Sequence, residues 1–314
     1  MRSLSLIGMS KNSGKTTVLN TLLRHYSLSG ITLGLTSIGR DGEDRDILTH
    51  SNKPKIFVDE GAIFATTVSL LSLCDVTKEI LRTTGINTPL GEVIILRART
   101  GGYVQLSGPS INTQVEQICR ILCEYGAQTV IVDGAFSRKT SASPAVTEKT
   151  ILCTGAALSR SMNRVIEETQ HVHDLLNSEK ISGEFAGITA GFPLALVNED
   201  GTCTGFERAA MTDTLAEELI KQGVRNAAII AGDASKFLFS LETHQKLRMR
   251  KIKTMVRSST ALVAVTINPV SAHGYEFDAD EFKGTLAGLI TTPVINVMNE
   301  GDALYDLLVQ TSEG

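Results

Sequence analysis

The sequence predicts an α/β protein, a mostly parallel sheet sandwiched by helices, with a second and smaller α/β unit after it. Three observations predict this. Apolar runs of strand length alternate with amphipathic stretches of helix length along most of the 314 residues. A glycine-bearing loop, Gly8 to Thr17 (GMSKNSGKTT), joins the first apolar run to the first amphipathic one. With 42% hydrophobic and 20% charged residues, the chain can fill an ordinary core, and no apolar run approaches the roughly 18 residues of a membrane span.

Taken in order, Leu4 to Met9 is a strand, Gly14 to Tyr26 a helix and Ile31 to Ile38 a strand. Thr66 to Leu81 reads as mostly helix, Glu92 to Ala98 as strand, Thr113 to Tyr125 as helix and Gln128 to Val132 as strand. Thr150 to Thr154 is a further short strand, and Ser159 caps a helix running to about Asn177. The polar stretch Ser178 to Glu184 marks the expected boundary, giving units 1–180 and 181–314. Beyond it, Leu194 to Phe206 holds Asn198-Glu-Asp-Gly201 between two apolar runs, the signature of a β-hairpin. Helices at Ala209–Gln222, Ala234–Leu241 and Ala279–Leu286 then alternate with strands at Ala227–Ala231, Ala261–Ile267 and Pro293–Val297.

A strand followed by a glycine loop and a helix is a device for binding phosphate. Backbone N–H groups of the loop wrap anionic oxygens, and the helix aims the positive end of its dipole at them. Gly14 lets the backbone turn tightly, Lys15 reaches the β- and γ-phosphates, and the Thr16 hydroxyl ligates Mg²⁺. Lys11, Asn12, Ser13, Gly14, Lys15, Thr16 and Thr17 are the expected nucleotide cradle in a P-loop NTPase fold. Its spacing is unusual, because five residues rather than four separate Gly8 from Gly14-Lys15-Thr16.

A metal partner is expected at the end of a neighbouring apolar strand. Asp133, closing Thr129-Val-Ile-Val, meets that description. Ser37 to Asp46 (SIGRDGEDRD) follows the second strand, where ligands gather in such sheets, and Asp41 and then Glu43 are candidates for positioning an attacking water. A solvated charged loop is the equal alternative. Arg97 and Arg99 could grip a carboxylate or phosphate or make structural ion pairs, and Ser137, Arg138 and Lys139 could sense the γ-phosphate or lie on the surface. Asn268-Pro269 could contact a base or partner, although turn chemistry explains it. No guanine-selecting Asn-Lys-x-Asp element occurs, so ATP is preferred to GTP.

Other features narrow the function. A net charge of -4 offers no basic field for a polyanion, which argues against nucleic acid. The one dense basic run, Arg248 to Lys253, reads as a solvated helix end in preference to a partner-binding patch. Five cysteines, an odd number without the paired short spacings of a zinc site, suit a reduced compartment, and Cys119 and Cys123 read as buried small side chains instead of a metal pair. His171 and His173, two apart on a helix, diverge and read as surface residues. The first strand follows Met1 almost at once, leaving no room for a signal peptide, so a cytoplasmic protein is expected.

The long spacing of the loop resembles that of dethiobiotin synthetase and the cobyrinic-acid amidases; Ser10 occupies the place of the signature lysine of the ParA/MinD branch. Taken with Gly34 to Glu43, Arg97 to Ser110 and Asp133-Gly-Ala-Phe136, it resembles the P-loop subunit of the reactivating factor of lysine 5,6-aminomutase. The resemblance spans most of the chain. It implies an ATP- and Mg²⁺-dependent reactivase that works with a second subunit to exchange damaged cobalamin in an adenosylcobalamin-dependent aminomutase. A homodimer is compatible with it. The alternative from a different class is an ATP-dependent ligase or kinase acting on a small carboxylate, with Arg97 and Arg99 as the grip.

Overall fold

The computed structural model describes residues 2–39, 56–135 and 147–311. Those residues form two compact units, one containing the residues up to 135, 147–162 and those from Val263 onward, the other Asn163–Leu262. The first opens with β1 (Arg2–Gly8), α1 (Lys15–Leu28) and β2 (Leu33–Ser37), much as the apolar pattern predicts. After β3 (Ile56–Val58) the pattern misleads. The stretch read as helix is the end of β4 (Ile63–Thr67), a 3₁₀ turn (Val68–Leu73) and the start of β5 (Lys78–Thr88). Its threonines, its two valines and Ile80 are stiff at χ1 and favour a pleated surface, and β6 (Gly91–Ala98) pairs antiparallel with both strands. Then come β7 (Gly102–Val104), which pairs with β3, α2 (Asn112–Glu124), β8 (Thr129–Ala135) and β9 (Lys149–Gly155).

The second unit begins in α3 (Met162–Leu176), with β10 (Glu179–Lys180) and α4 (Gly183–Ile188) after it. The expected hairpin is present as β11 (Leu194–Val197) and β12 (Cys203–Phe206), its turn closed by Thr202 N–H donating to Asp200 Oδ1 at 2.9 Å and by Gly201 at φ 81°. Next are β13 (Met211–Thr212), α5 (Asp213–Lys221), β14 (Ala228–Ala231) and β15 (Phe237–Leu238). The helix expected from Ala234 is only a 3₁₀ turn, and α6 (Leu241–Met249) starts later because Ser240 caps it, its Oγ accepting from Thr243 N–H. With β16 (Lys253–Val256), the five-stranded sheet runs β10-β16-β14-β11-β12.

The chain then returns to the first unit through β17 (Leu262–Asn268), α7 (Ala279–Leu289), β18 (Val294–Asn296) and α8 (Gly301–Gln310). The compact units therefore do not divide at 180/181. The last fifty or so residues complete the larger sheet, whose order is β18-β17-β9-β1-β8-β2-β4-β6-β5. β1, β8, β9, β2 and β4 pair in parallel where they neighbour one another, and β6 runs against them, antiparallel to both β4 and β5, so that β5 again shares the direction of β4. Leu304 and Leu308 of α8 join Leu19 and Leu22 of α1 in one core over the sheet, and Val115, Ile118 and Leu122 of α2 form the core of the opposite face. Fully buried strands such as β2 and β4 are apolar or small throughout, as strands covered on both faces must be.

Candidate functional site

Parallel strands place their C-terminal ends along one edge, and the loop after β1 lies there. Gly8 pairs with Cys153 of β9 on one side and Ala135 of β8 on the other; Asp133 lies opposite Leu6 and Ser37. The loop turns through two left-handed residues, Asn12 at φ 62° and Gly14 at φ 92°, before Gly14 C=O accepts the first helical bond from Val18 N–H at 2.9 Å. Lys15 folds back over the strand end. A Cβ on Gly8 would lie 2.6 Å from Lys15 Nζ and 2.6 Å from Ser13 Oγ, so only glycine leaves room for both.

The cradle is polar and incompletely satisfied. Ser10 and Ser13 each carry a buried hydroxyl without a hydrogen-bond partner among the described residues, an arrangement that suits an anionic guest. Thr16 and Thr17 are half-buried in the first turn of α1, Asp133 is half-buried, and Lys11 and Asn12 are exposed. Burial pushes the Cys153 thiol beneath the loop up to about 11; the Lys15 charge draws it down and Asp133 raises it, so both charged groups act on the same spot.

Two further segments complete the edge: Ser107 to Pro109, whose place there the sequence does not indicate, and Asn268-Pro269, for which a base or partner contact is one of the sequence readings. Ser107-Gly108-Pro109 crosses the end of β2: a Cβ on Gly108 would lie 2.2 Å from Ser37 O, and Gly39 N–H donates to Pro109 O at 3.2 Å. Buried hydroxyls of Thr36, Thr66 and Ser107 lack hydrogen-bond partners among the described residues. Asn268, at the end of β17, packs its Cβ 3.1 Å from where one on Gly14 would stand, while its Oδ1 accepts from Val270 N–H at 3.1 Å. The turn chemistry of Asn268-Pro269 is thus real, and it also brings that turn against the loop. Its signal in the sequence was an Asn-Pro step after a strand.

Arg97 and Arg99 are elsewhere. Because β6 runs antiparallel to β4, its C-terminal end pairs Arg97 with Ile63 at the start of β4, the edge opposite the loop. Arg97 Nη2 donates to Tyr125 O at 3.0 Å and Arg99 Nη2 pairs with Glu79 at 2.6 Å, which leaves both in structural roles. Asp41, Glu43 and Ser137 to Lys139 lie outside the described residues. His171 and His173 are buried, not superficial, and among the described residues no group of three or more His, Cys, Asp or Glu is placed to hold a metal. Cys119 is fully buried and Cys123 half-buried, as expected of packing residues.

Fold and site together define a mixed α/β protein whose large, mostly parallel sheet is flanked by helices and carries a glycine-turned loop at its C-terminal edge. Comparison with known protein families, curated proteins and solved structures gave no match to the chain. Among the described residues no helix is long and apolar enough to cross a membrane.

Proposed function

We propose that the chain is an ATP- and Mg²⁺-dependent P-loop ATPase, the nucleotide-binding subunit of a reactivating factor for an adenosylcobalamin-dependent lysine aminomutase. The carrying observation is Lys15 folded over Gly8 beside the buried, partnerless hydroxyls of Ser10 and Ser13, with Asp133 two strand positions from the same edge. Lys11 to Thr17 would hold the phosphates, and Thr16 and Asp133 would hold Mg²⁺. Bound Mg²⁺ would neutralise charge on the transferring phosphoryl group. Asp41 and Glu43 keep their proposed part in positioning water. The target follows from the resemblance of the flanking segments, and the logic is a population shift: a subunit that binds the mutase better in an open state, switched by nucleotide, speeds the escape of a tightly held inactive corrinoid. Free cysteines at all five positions support a reduced, cytoplasmic setting.

The ligase or kinase alternative rests on the dethiobiotin-synthetase-like spacing of the loop, with Arg97 and Arg99 as its carboxylate grip, and the structural partners of both arginines weaken the grip while leaving the loop spacing as it was. The deciding experiment measures ATP turnover with and without aminomutase inactivated by damaged cobalamin, together with the second subunit. Turnover should rise several-fold with the inactivated mutase, and Lys15→Ala should remove about 10²-fold or more of it while retaining the wild-type melting curve. Unchanged turnover in Lys15→Ala would dismiss the loop assignment. Turnover indifferent to the mutase but dependent on a small carboxylic acid would favour the ligase.

A further inference from the structure

The second unit carries a basic cavity that the nucleotide reading leaves unused. It encloses about 770 Å³ between the ends of α5 and α6 and is lined by five cationic side chains and a single carboxylate. Lys221 and Arg225 come from the end of α5 and the turn after it, Arg250 and Lys251 from the end of α6. None of these four makes an ion pair with a described residue. The fifth cation, Lys246, is 2.7 Å from Glu242 and 3.9 Å from Glu217, and Glu217 is the lining's one carboxylate. Four positive charges are therefore left without an ion pair among the described residues, in a chain whose net charge is -4.

The backbone holds them there. Lys251 and Asn226 both adopt left-handed conformations, at φ 56° and 47°; Lys251 N–H donates to Arg248 O at 2.9 Å, closing the end of α6, and Asn226 N–H donates to Arg250 O at 3.0 Å, tying the two helix ends together. The same geometry selects the kind of anion. Phosphate sites concentrate N–H donors at helix N-termini, whereas both helices here present C-terminal carbonyls, whose partial negative charge opposes a compact multivalent phosphate. Spread single charges with an apolar patch between them, Ile220 and the 78% exposed Met249, match carboxylates spaced along a peptide chain.

We infer that this cavity docks an acidic segment of a protein partner, its carboxylates on Lys221, Arg225, Arg250 and Lys251 and an apolar side chain on Met249. The basic run Arg248 to Lys253 is a helix end in the sequence; the cations of α5 on the same cavity make it half of a binding surface. The inference stands independently of nucleotide binding.

The test titrates the full chain into a fluorescein-labelled peptide of about twelve residues repeating Glu-Asp-Leu-Glu. Saturable binding is expected, weakening about tenfold or more as salt rises from about 50 to about 300 mM and again in the double variant Arg225→Glu/Lys251→Glu. Lys15→Ala should bind the peptide as wild type does, which separates this site from the nucleotide loop. Arg120→Glu, a charge reversal on α2, should also leave it unchanged. Should the double reversal alter the melting curve, Arg225→Gln/Lys251→Gln asks the same question with less repulsion, and about a threefold or greater loss is expected. No saturable binding, equal binding by the charge variants, or displacement of the peptide by micromolar pyrophosphate would each overturn the proposal, the last by making this a phosphate site.

Discussion

His171 and His244 show how a residue acquires a property that its neighbours in sequence do not give it. Their Nδ1 atoms lie 3.0 Å apart, and His171 Nε2 is 3.2 Å from Phe239 O. A carbonyl only accepts, so Nε2 of a neutral His171 carries the proton, its Nδ1 accepts, and His244 donates. Protonating His244 would place a charged ring in a buried site. Burial first, then the electrostatic influence of the neighbouring His171 and Arg248, lower its pKa to about 4, and Asp174 pulls the other way. The unfolded chain takes up this proton as pH falls through 6.5 while the folded chain does so only near 4; the stability present above 6.5 is thus lost across that window. Replacing His244 by Asn should flatten the fall in unfolding free energy between pH 7 and pH 5, read from urea titrations, by about 1–2 kcal/mol relative to wild type. Parallel slopes in the two proteins would remove the pair from the acid response. Nothing in the spacing of His171 and His173 announces this, since His244 is 73 residues away.

At the scale of elements, α8 closes the first unit. Tyr305 stacks on His25 with ring centroids 5.2 Å apart, its hydroxyl lies 2.6 Å from Ser29 Oγ, and Leu304 and Leu308 complete the core over α1. Leu304 is fully buried, so Leu304→Ala leaves a cavity and should cost about 2–5 kcal/mol, read as a lower denaturation midpoint with an unchanged slope. A loss below about 1 kcal/mol would mean that the helix frays without consequence to the core. Most elements of the first unit are legible in sequence because an apolar run bounded by turn residues has few other uses. The stretch Thr66 to Leu81 is not, since its apolar residues fit either period and the partner strand β6 decides between them. The loop Gly8 to Thr17 is legible for a different reason: its glycines and Lys15 act on one another within ten residues.

For the whole molecule, the division into units makes a direct prediction. The fragment 163–262 contains its own five-stranded sheet, whereas 1–162 lacks β17, β18 and α8 of the larger one. The first fragment should melt cooperatively on its own, and the second should fail to do so until residues 263–314 are supplied; calorimetry of the separate fragments measures this. A cooperative transition in 1–162 alone would show that the returning segment is an accessory. Sequence by itself determined the α/β class, the glycine-turned loop that leads into the helix at Lys15 and Thr16, the strand bearing Asp133 and the hairpin at Asn198–Gly201, because each is set by periodicity or turn chemistry over a few residues. Only the tertiary structure decided where Arg97 and Arg99 point, that Asn268 and Ser107–Pro109 meet the loop's edge, that two distant helix ends share one basic cavity, and that the last strands belong with the first. Strand order and direction depend on pairing across a hundred residues or more, and no local pattern encodes it.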